Sequence, residues 1–189
     1  MSTHIEFRSP KGGQGCSTTV VMVAQTLAEL GVNTLVVDAD RSEDIYRIFN
    51  TTVAVPCRIG PKLELTSYEG WAANENRYDF VLWDYGTSLV TPLSDARQVW
   101  VVRNCYLALS HLHVRRAAHH RIDDVIYILE SGRALKMADM DAAIRLPVAG
   151  VIHADPVTAR MVDAGLLISR RLQSVQLRNI VDYLVKEHA

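Results

Sequence analysis

Short unbroken apolar runs alternate with helix-periodic stretches along most of this chain. Six runs read as strands: Ile5–Arg8, Thr34–Asp38, Phe80–Asp84, Gln98–Val102, Val125–Leu129 and Val148–Ile152. Leu35-Val36-Val37 and Val81-Leu82-Trp83 are continuous rather than alternating, as in strands buried on both faces of a parallel sheet. Helical patterns fill the gaps at about 18–32, 42–49, 69–76, 106–120, 134–145, 157–170 and 174–187. This order predicts an α/β fold, a doubly wound and mostly parallel sheet of six to seven strands flanked by helices. Ligands of such sheets sit outside the carboxyl ends of the strands. The stretch 50–68, with Pro56, Gly60 and Pro61, is the least regular part. No repeat, low-complexity tract or linker divides the 189 residues, so 1–189 is expected to form a single domain.

Composition narrows the class only a little. With 49% hydrophobic and 22% charged residues the chain reads as globular rather than disordered. The formal net charge of −1 means that any nucleic-acid contact must come from a local patch. No apolar run approaches a membrane span, and Met1-Ser2-Thr3-His4-Ile5-Glu6 lacks a secretory pattern. Cys16, Cys57 and Cys105 are odd in number and widely spaced, which fits a reduced, cytoplasmic protein.

Between the first strand and the first helix lies Lys11-Gly12-Gly13-Gln14-Gly15-Cys16-Ser17-Thr18. It fits a lysine-first phosphate-binding loop, K-G-G-x-G-K-[ST]-[ST], everywhere except Cys16, which stands where a lysine would touch the terminal phosphates. The glycines let consecutive backbone N–H groups turn inward on an anion, with a helix N-terminus behind them. A glycine-rich turn can serve only to reverse the chain. Here the lysine before the glycines, the hydroxyl residues after them and the flanking strand and helix agree with the functional reading.

Three further segments follow in order. Leu35-Val36-Val37-Asp38-Ala39-Asp40 resembles the D-x-D segment ending the second strand of the ParA/MinD family of deviant Walker A ATPases. Tyr78-Asp79-Phe80-Val81-Leu82-Trp83-Asp84 resembles that family's Walker B strand. Val151-Ile152-His153-Ala154-Asp155-Pro156-Val157, followed by Ala164-Gly165, is similar to its I-P-x-D-x-x-V…A-x-x-G segment. The resemblance implies that Lys11 is the signature lysine, reaching nucleotide across a face-to-face homodimer. It implies that Gly12, Gly13, Gln14, Gly15, Cys16, Ser17 and Thr18 form the nucleotide cradle, with ATP or ADP and Mg²⁺ as the cofactors. Ser17 and Asp84 match the groups that hold Mg²⁺, the latter through water, and Asp40 matches the carboxylate that positions the attacking water, with Asp38 its neighbour. Phosphoryl transfer of this kind needs positioning and charge neutralisation more than covalent chemistry.

The departures carry equal weight. Cys16 replaces the lysine, Arg41-Ser42 replace the Pro-Gln after the aspartates, and His153 replaces a proline near the base. Glu130 lies about where an asparagine often reads adenine. Loss of a charged phosphate donor costs roughly 1.5–3 kcal/mol, or tenfold to a hundredfold in affinity. A Cys16→Lys change should restore about tenfold, provided that no arginine already fills the vacated volume.

Each residue type also has a plainer reading. Cys16 could be an activated thiol at a helix N-terminus or a small loop filler. Asp38, Asp40 and Asp84 could be strand-end acids that cap turns. Arg115-Arg116 with His119-His120-Arg121, and Arg170-Arg171 with Arg178 and Lys186, are either solvated helix faces or a surface for non-specific DNA. The histidines at 111, 113, 119 and 120 lack acidic or cysteine partners at ligand spacing. Trp71, Trp83 and Trp100 suit a core.

The resemblance implies a small ParA-like protein in DNA partition or cargo positioning, with ATP hydrolysis weakened or lost and a ParB-like partner triggering release. The first strand begins within a few residues of Met1, so an N-terminal helix-turn-helix domain is not expected. The alternative is a non-catalytic scaffold that dimerises, polymerises or binds DNA without nucleotide turnover. An accessory protein of conjugation or secretion is a third.

Overall fold

The computed structural model describes residues 2–49, 51, 56–71, 77–88, 93, 95–164 and 175–186. They form β1 (Thr3–Arg8), α1 (Cys16–Glu29), β2 (Thr34–Asp38), α2 (Asp44–Ile48), β3 (Cys57–Gly60), β4 (Leu63–Ser67) and β5 (Phe80–Gly86). β6 (Arg97–Arg103), α3 (Tyr106–Ala117), β7 (Asp124–Leu129), α4 (Met137–Ile144), β8 (Val148–His153), α5 (Pro156–Asp163) and α6 (Val175–Lys186) follow. One sheet runs β3-β4-β2-β5-β1-β6-β7-β8, parallel except for the β3–β4 pair.

All six strands read from the apolar runs are present, five of them one or two residues longer than the runs themselves. The strand count is corrected from six or seven to eight. The extra pair is the β3–β4 hairpin, within the stretch read as least regular. Gly60, Pro61 and Lys62 make its turn, and the alternation of Leu63 and Leu65 inward with Glu64 between them is a short period-two signal. Of the helix expected at 69–76, Glu69 and Gly70 form a turn, and 72–76 lie outside the described residues.

Strand β1 shows why the sheet is double-sided. Ile5 and Phe7 point towards α1 and α6 and join Val36, Leu82 and Ile126 in one core. On the opposite face Trp100, Val102 and Tyr127 pack under α3 and α4, and Trp83 and Tyr85 pack with Leu35 and Val37. Trp83 and Trp100 are core residues as read, while Trp71 is half-buried against Trp83. Because β1 lies between β5 and β6 and its chain leaves to β2 on the far side of β5, the carboxyl end of β1 faces a crevice. The glycine loop occupies that crevice.

Candidate functional site

The loop leaves β1 at Ser9, and α1 begins at Cys16. Gly13 and Gly15 have φ of 72° and 87°, a left-handed conformation that suits glycine. A Cβ on Gly12 or Gly13 would meet nothing within 4 Å, so the loop is open on its outer side. No side chain caps the N-terminus of α1. The N–H groups of its first turn therefore have no intrahelical acceptor and are available to an anion. The loop borders a cavity of about 1230 Å³, also lined by Asp40, Gly86, Arg103, Ile128, Ile152 and Leu177.

Inside the loop the side chains divide. Lys11 is half-buried, and its Nζ donates back to the Gly12 carbonyl at 3.0 Å. Gln14 is 2% exposed and accepts from the Arg103 backbone N–H at 3.0 Å, tying the loop to the end of β6. Cys16 is buried beneath the loop: its thiol donates to Asp84 Oδ1 at 3.3 Å, and burial, then the Asp84 charge, push the thiol well above its ordinary range. This geometry favours the filler reading of Cys16 over the reactive one.

Asp84 lies in β5, which is buried along its whole length from Phe80 to Gly86. Its Oδ1 also accepts the Gly86 N–H at 3.0 Å, whereas Oδ2 is buried without a hydrogen-bond partner among the described residues. Burial raises its carboxyl to about 6 against the opposing pull of hydrogen bonds from Ser17, Cys16 and Gly86. Asp38 is level with Asp84 on the neighbouring strand. Burial and the Asp84 charge lift it to about 7, although it accepts backbone N–H groups from Ile45, Tyr46 and Asp40. Its role is therefore partly to cap α2, as the plainer reading had it. Asp40 instead lines the cavity, with Ser42 Oγ donating to its Oδ2 at 2.9 Å.

The structure thus gathers Gly12 to Thr18, Asp40 and Asp84 at one end of the sheet. Lys11 is beside them, bent onto its own loop. Arg178 is exposed on α6, and Arg170 and Arg171 lie outside the described residues. Sequence reasoning missed Gly86 and Arg103. Gly86 has φ of 50°, and a Cβ there would stand 2.2 Å from Asp40 Oδ2. A glycine two residues after a strand-end acid was the available signal. For Arg103 the signal was a cation at the carboxyl end of a strand beside β1. Glu130, the residue weighed for base contact, is engaged by Arg103 and Arg133.

Parallel sheet, crevice and glycine loop define a P-loop α/β fold. That fold is shared with solved structures of the ParA/MinD type. The chain superposes on the septum site-determining protein MinD complexed with Mg-ADP from Pyrococcus horikoshii OT3 with a TM-score of 0.73 and 18% identity, covering 99% of this chain and 96% of that one. The MinC:MinD cell division protein complex of Aquifex aeolicus gives the same TM-score, identity and coverage. A ParA family ATPase from Chlorobium tepidum TLS gives 0.67 at 16% identity, covering 97% and 98%. No protein-family model matches the sequence, and no curated protein is detectably similar to it. The fold is that of the ParA/MinD-type ATPases.

Proposed function

We propose that this chain is a nucleotide-binding, homodimer-forming ParA-like protein that acts in DNA partition or cargo positioning, with ATP hydrolysis weakened or lost. The observation that carries the reading is the open glycine cradle under an uncapped helix N-terminus, with Asp40 lining the cavity and Asp84 buried against Cys16 beneath it. The residues fit MgATP or MgADP on two counts. The cradle has room where a Cβ would otherwise stand, and Asp84 Oδ2 is a buried acceptor with no hydrogen-bond donor among the described residues. Backbone amides from Gly13 to Ser17 would hold phosphate, and Ser17 with Asp84, through water, would hold Mg²⁺. The metal would neutralise phosphate charge. Asp40 orients water, and Lys11, released from the Gly12 carbonyl, reaches across the dimer.

In this reading the protein works reduced in the cytoplasm, with non-specific DNA on a surface including Arg170, Arg171 and Arg178 and a ParB-like partner to release it. No helix among the described residues is long and apolar enough to cross a membrane. Titration of purified protein with ATP, ADP and CTP in Mg²⁺, with and without duplex DNA, tests it alongside light scattering for dimerisation. Binding of a nucleotide with a change in mass supports the reading. The second reading, a non-catalytic scaffold, is favoured by the hydrogen bond that commits Cys16 to Asp84. It is selected if no nucleotide binds in any condition.

A further inference from the structure

We propose that Arg103 supplies the phosphate-binding cation that position 16 lacks, presenting its Nε and Nη2 edge to an anion seated on the loop at Gly15. The inference rests on the reading that the loop binds nucleotide, and names a residue that the loop motif does not contain.

Four cationic side chains are close enough to be weighed. Arg41 is exposed. Arg47 has a 76% exposed side chain and leans on Asp44. Lys11 is bent onto its own loop. Arg103 is the most enclosed of the three arginines that line the cavity, with 28% of its side chain exposed.

Its orientation is what selects it. Arg103 Nη1 donates to Glu130 Oε1 at 2.7 Å, which fixes the outer corner of the guanidinium. Nη2 stands 3.9 Å from the position a Cβ would take on Gly15. Nε is buried with no partner among the described residues. Nε and Nη2 form the two-donor edge that matches phosphate or carboxylate bidentately. No hydrogen bond engages that edge among the described residues, and its Nη2 corner stands beside the loop, while Nη1 does the anchoring. A buried donor without an acceptor is uncommon in a folded protein, and an anion at the loop would satisfy it.

The surroundings hold the group without neutralising it. Glu130 is shared between Arg103 and Arg133, so one carboxylate faces two cations. Asn104 fastens this segment by donating to the carbonyls of Glu130 and Leu135 and accepting the Glu130 N–H. The Arg103 backbone N–H is bound by Gln14 from within the loop, across 89 residues of sequence. Strand end and loop are thereby fixed to each other, so the guanidinium is pre-organised for whatever the loop holds. A lysine at position 16 would bring its charge from the helix. Arg103 brings it from the adjacent strand, and Cys16 is free to turn under the loop to Asp84.

The test is a set of calorimetric titrations with ATP, ADP and inorganic tripolyphosphate in Mg²⁺, using wild type, Arg103→Gln, Arg103→Lys, Cys16→Lys and the Cys16→Lys/Arg103→Gln double variant. Thermal melts confirm that each is folded. Arg103→Gln should weaken all three ligands by about tenfold or more, because the lost contact is to phosphate and not to a base. Arg103→Lys, which keeps the charge and loses the fork, should fall between. Cys16→Lys should gain little in the wild-type background and restore most of the loss in the Arg103→Gln background, a non-additivity expected of two groups with one task. Unchanged ATP and tripolyphosphate affinity in Arg103→Gln overturns the assignment. A loss with ATP and none with tripolyphosphate overturns it too, by moving Arg103 to the base. If wild type binds none of the three, the nucleotide reading itself falls, and this inference with it.

Discussion

Two neighbouring parts of the same sheet bury charge, and they treat it in opposite ways. On the face of β1 turned away from α1, Glu6 is fully buried and Arg8 is 3% exposed. Arg8 donates to Glu6 Oε2 through Nε and Nη2 and to the Ser88 carbonyl through Nη1. Glu6 Oε1 accepts the Leu93 N–H, and the guanidinium lies 4.3 Å from the centre of the Tyr85 ring. Every lone pair and donor that matters is engaged. At the carboxyl ends of β2 and β5, a few residues away, Asp38 and Asp84 face each other with no cation paired to either among the described residues. One cluster is complete without a ligand; the other leaves an acceptor open, as a site that receives a metal ion or a hydrogen-bond donor does.

Breaking the complete cluster should have the largest effect. Arg8→Ala leaves Glu6 buried and unpaired, and should cost about 3–5 kcal/mol of stability, measured by urea unfolding at pH 7. The Glu6→Leu/Arg8→Met pair should recover most of it, because the charge is then removed rather than orphaned. Next comes Gly86, where the backbone passes Asp40 closely. Gly86→Ala places a methyl group against Asp40 in a left-handed backbone, and should destabilise by about 2–4 kcal/mol while displacing Asp40. Nucleotide turnover, where present, should fall with it; a stable variant with Asp40 unmoved would contradict the packing.

The open cluster should respond with the opposite sign. Folding raises Asp84 from its ordinary value of 3.8 to about 6, so the folded state favours the protonated carboxyl. That stabilisation is full below pH 3.8 and is lost as pH rises through about 6. Asp38, lifted to about 7, acts in the same direction. Asp84→Asn should therefore stabilise the ligand-free protein at pH 8, by on the order of 2 kcal/mol, and by less at pH 5. It should also weaken Mg²⁺-dependent nucleotide binding. Melting curves at the two pH values, set beside a titration, check both halves. A gain that is the same at both pH values would remove the carboxylate from the account.

These two clusters also mark what was legible in the sequence. Strands such as Thr34–Asp38 and Phe80–Gly86 are buried on both faces, so their apolar runs are unbroken and easily read. The β3–β4 hairpin was missed because its buried apolar residues, Leu63 and Leu65, alternate with polar ones, and Gly60 and Pro61 dominate the local signal. The loop and its acids were legible because spacing along the chain carries them. What Arg103 does was not: its contacts to Gln14, Gly15 and Glu130 join three segments far apart in sequence. Nor was the inward turn of Cys16, which depends on Asp84 arriving from a strand 68 residues later.

The smallest expected effect concerns that thiol, which belongs to the open cluster through Asp84. A thiolate is the species that reacts, and burial with two nearby carboxylates holds Cys16 as the neutral thiol well past neutral pH. Its hydrogen bond to Asp84 also closes one approach to the sulfur. Cys57 and Cys105 are half-buried, and so more open to a reagent than Cys16. At pH 8 a thiol reagent should therefore modify Cys57 and Cys105 first, and Cys16 only as fast as the loop opens. Cys16→Ala should change stability by about 1 kcal/mol or less, because one weak donor is lost to a carboxyl that keeps the Gly86 N–H. Peptide mapping by mass spectrometry after timed labelling reads the order directly. If Cys16 is labelled ahead of the other two, the thiol faces the cavity as an activated group. The pairing of Cys16 with Asp84 Oδ1 would then have to be redrawn.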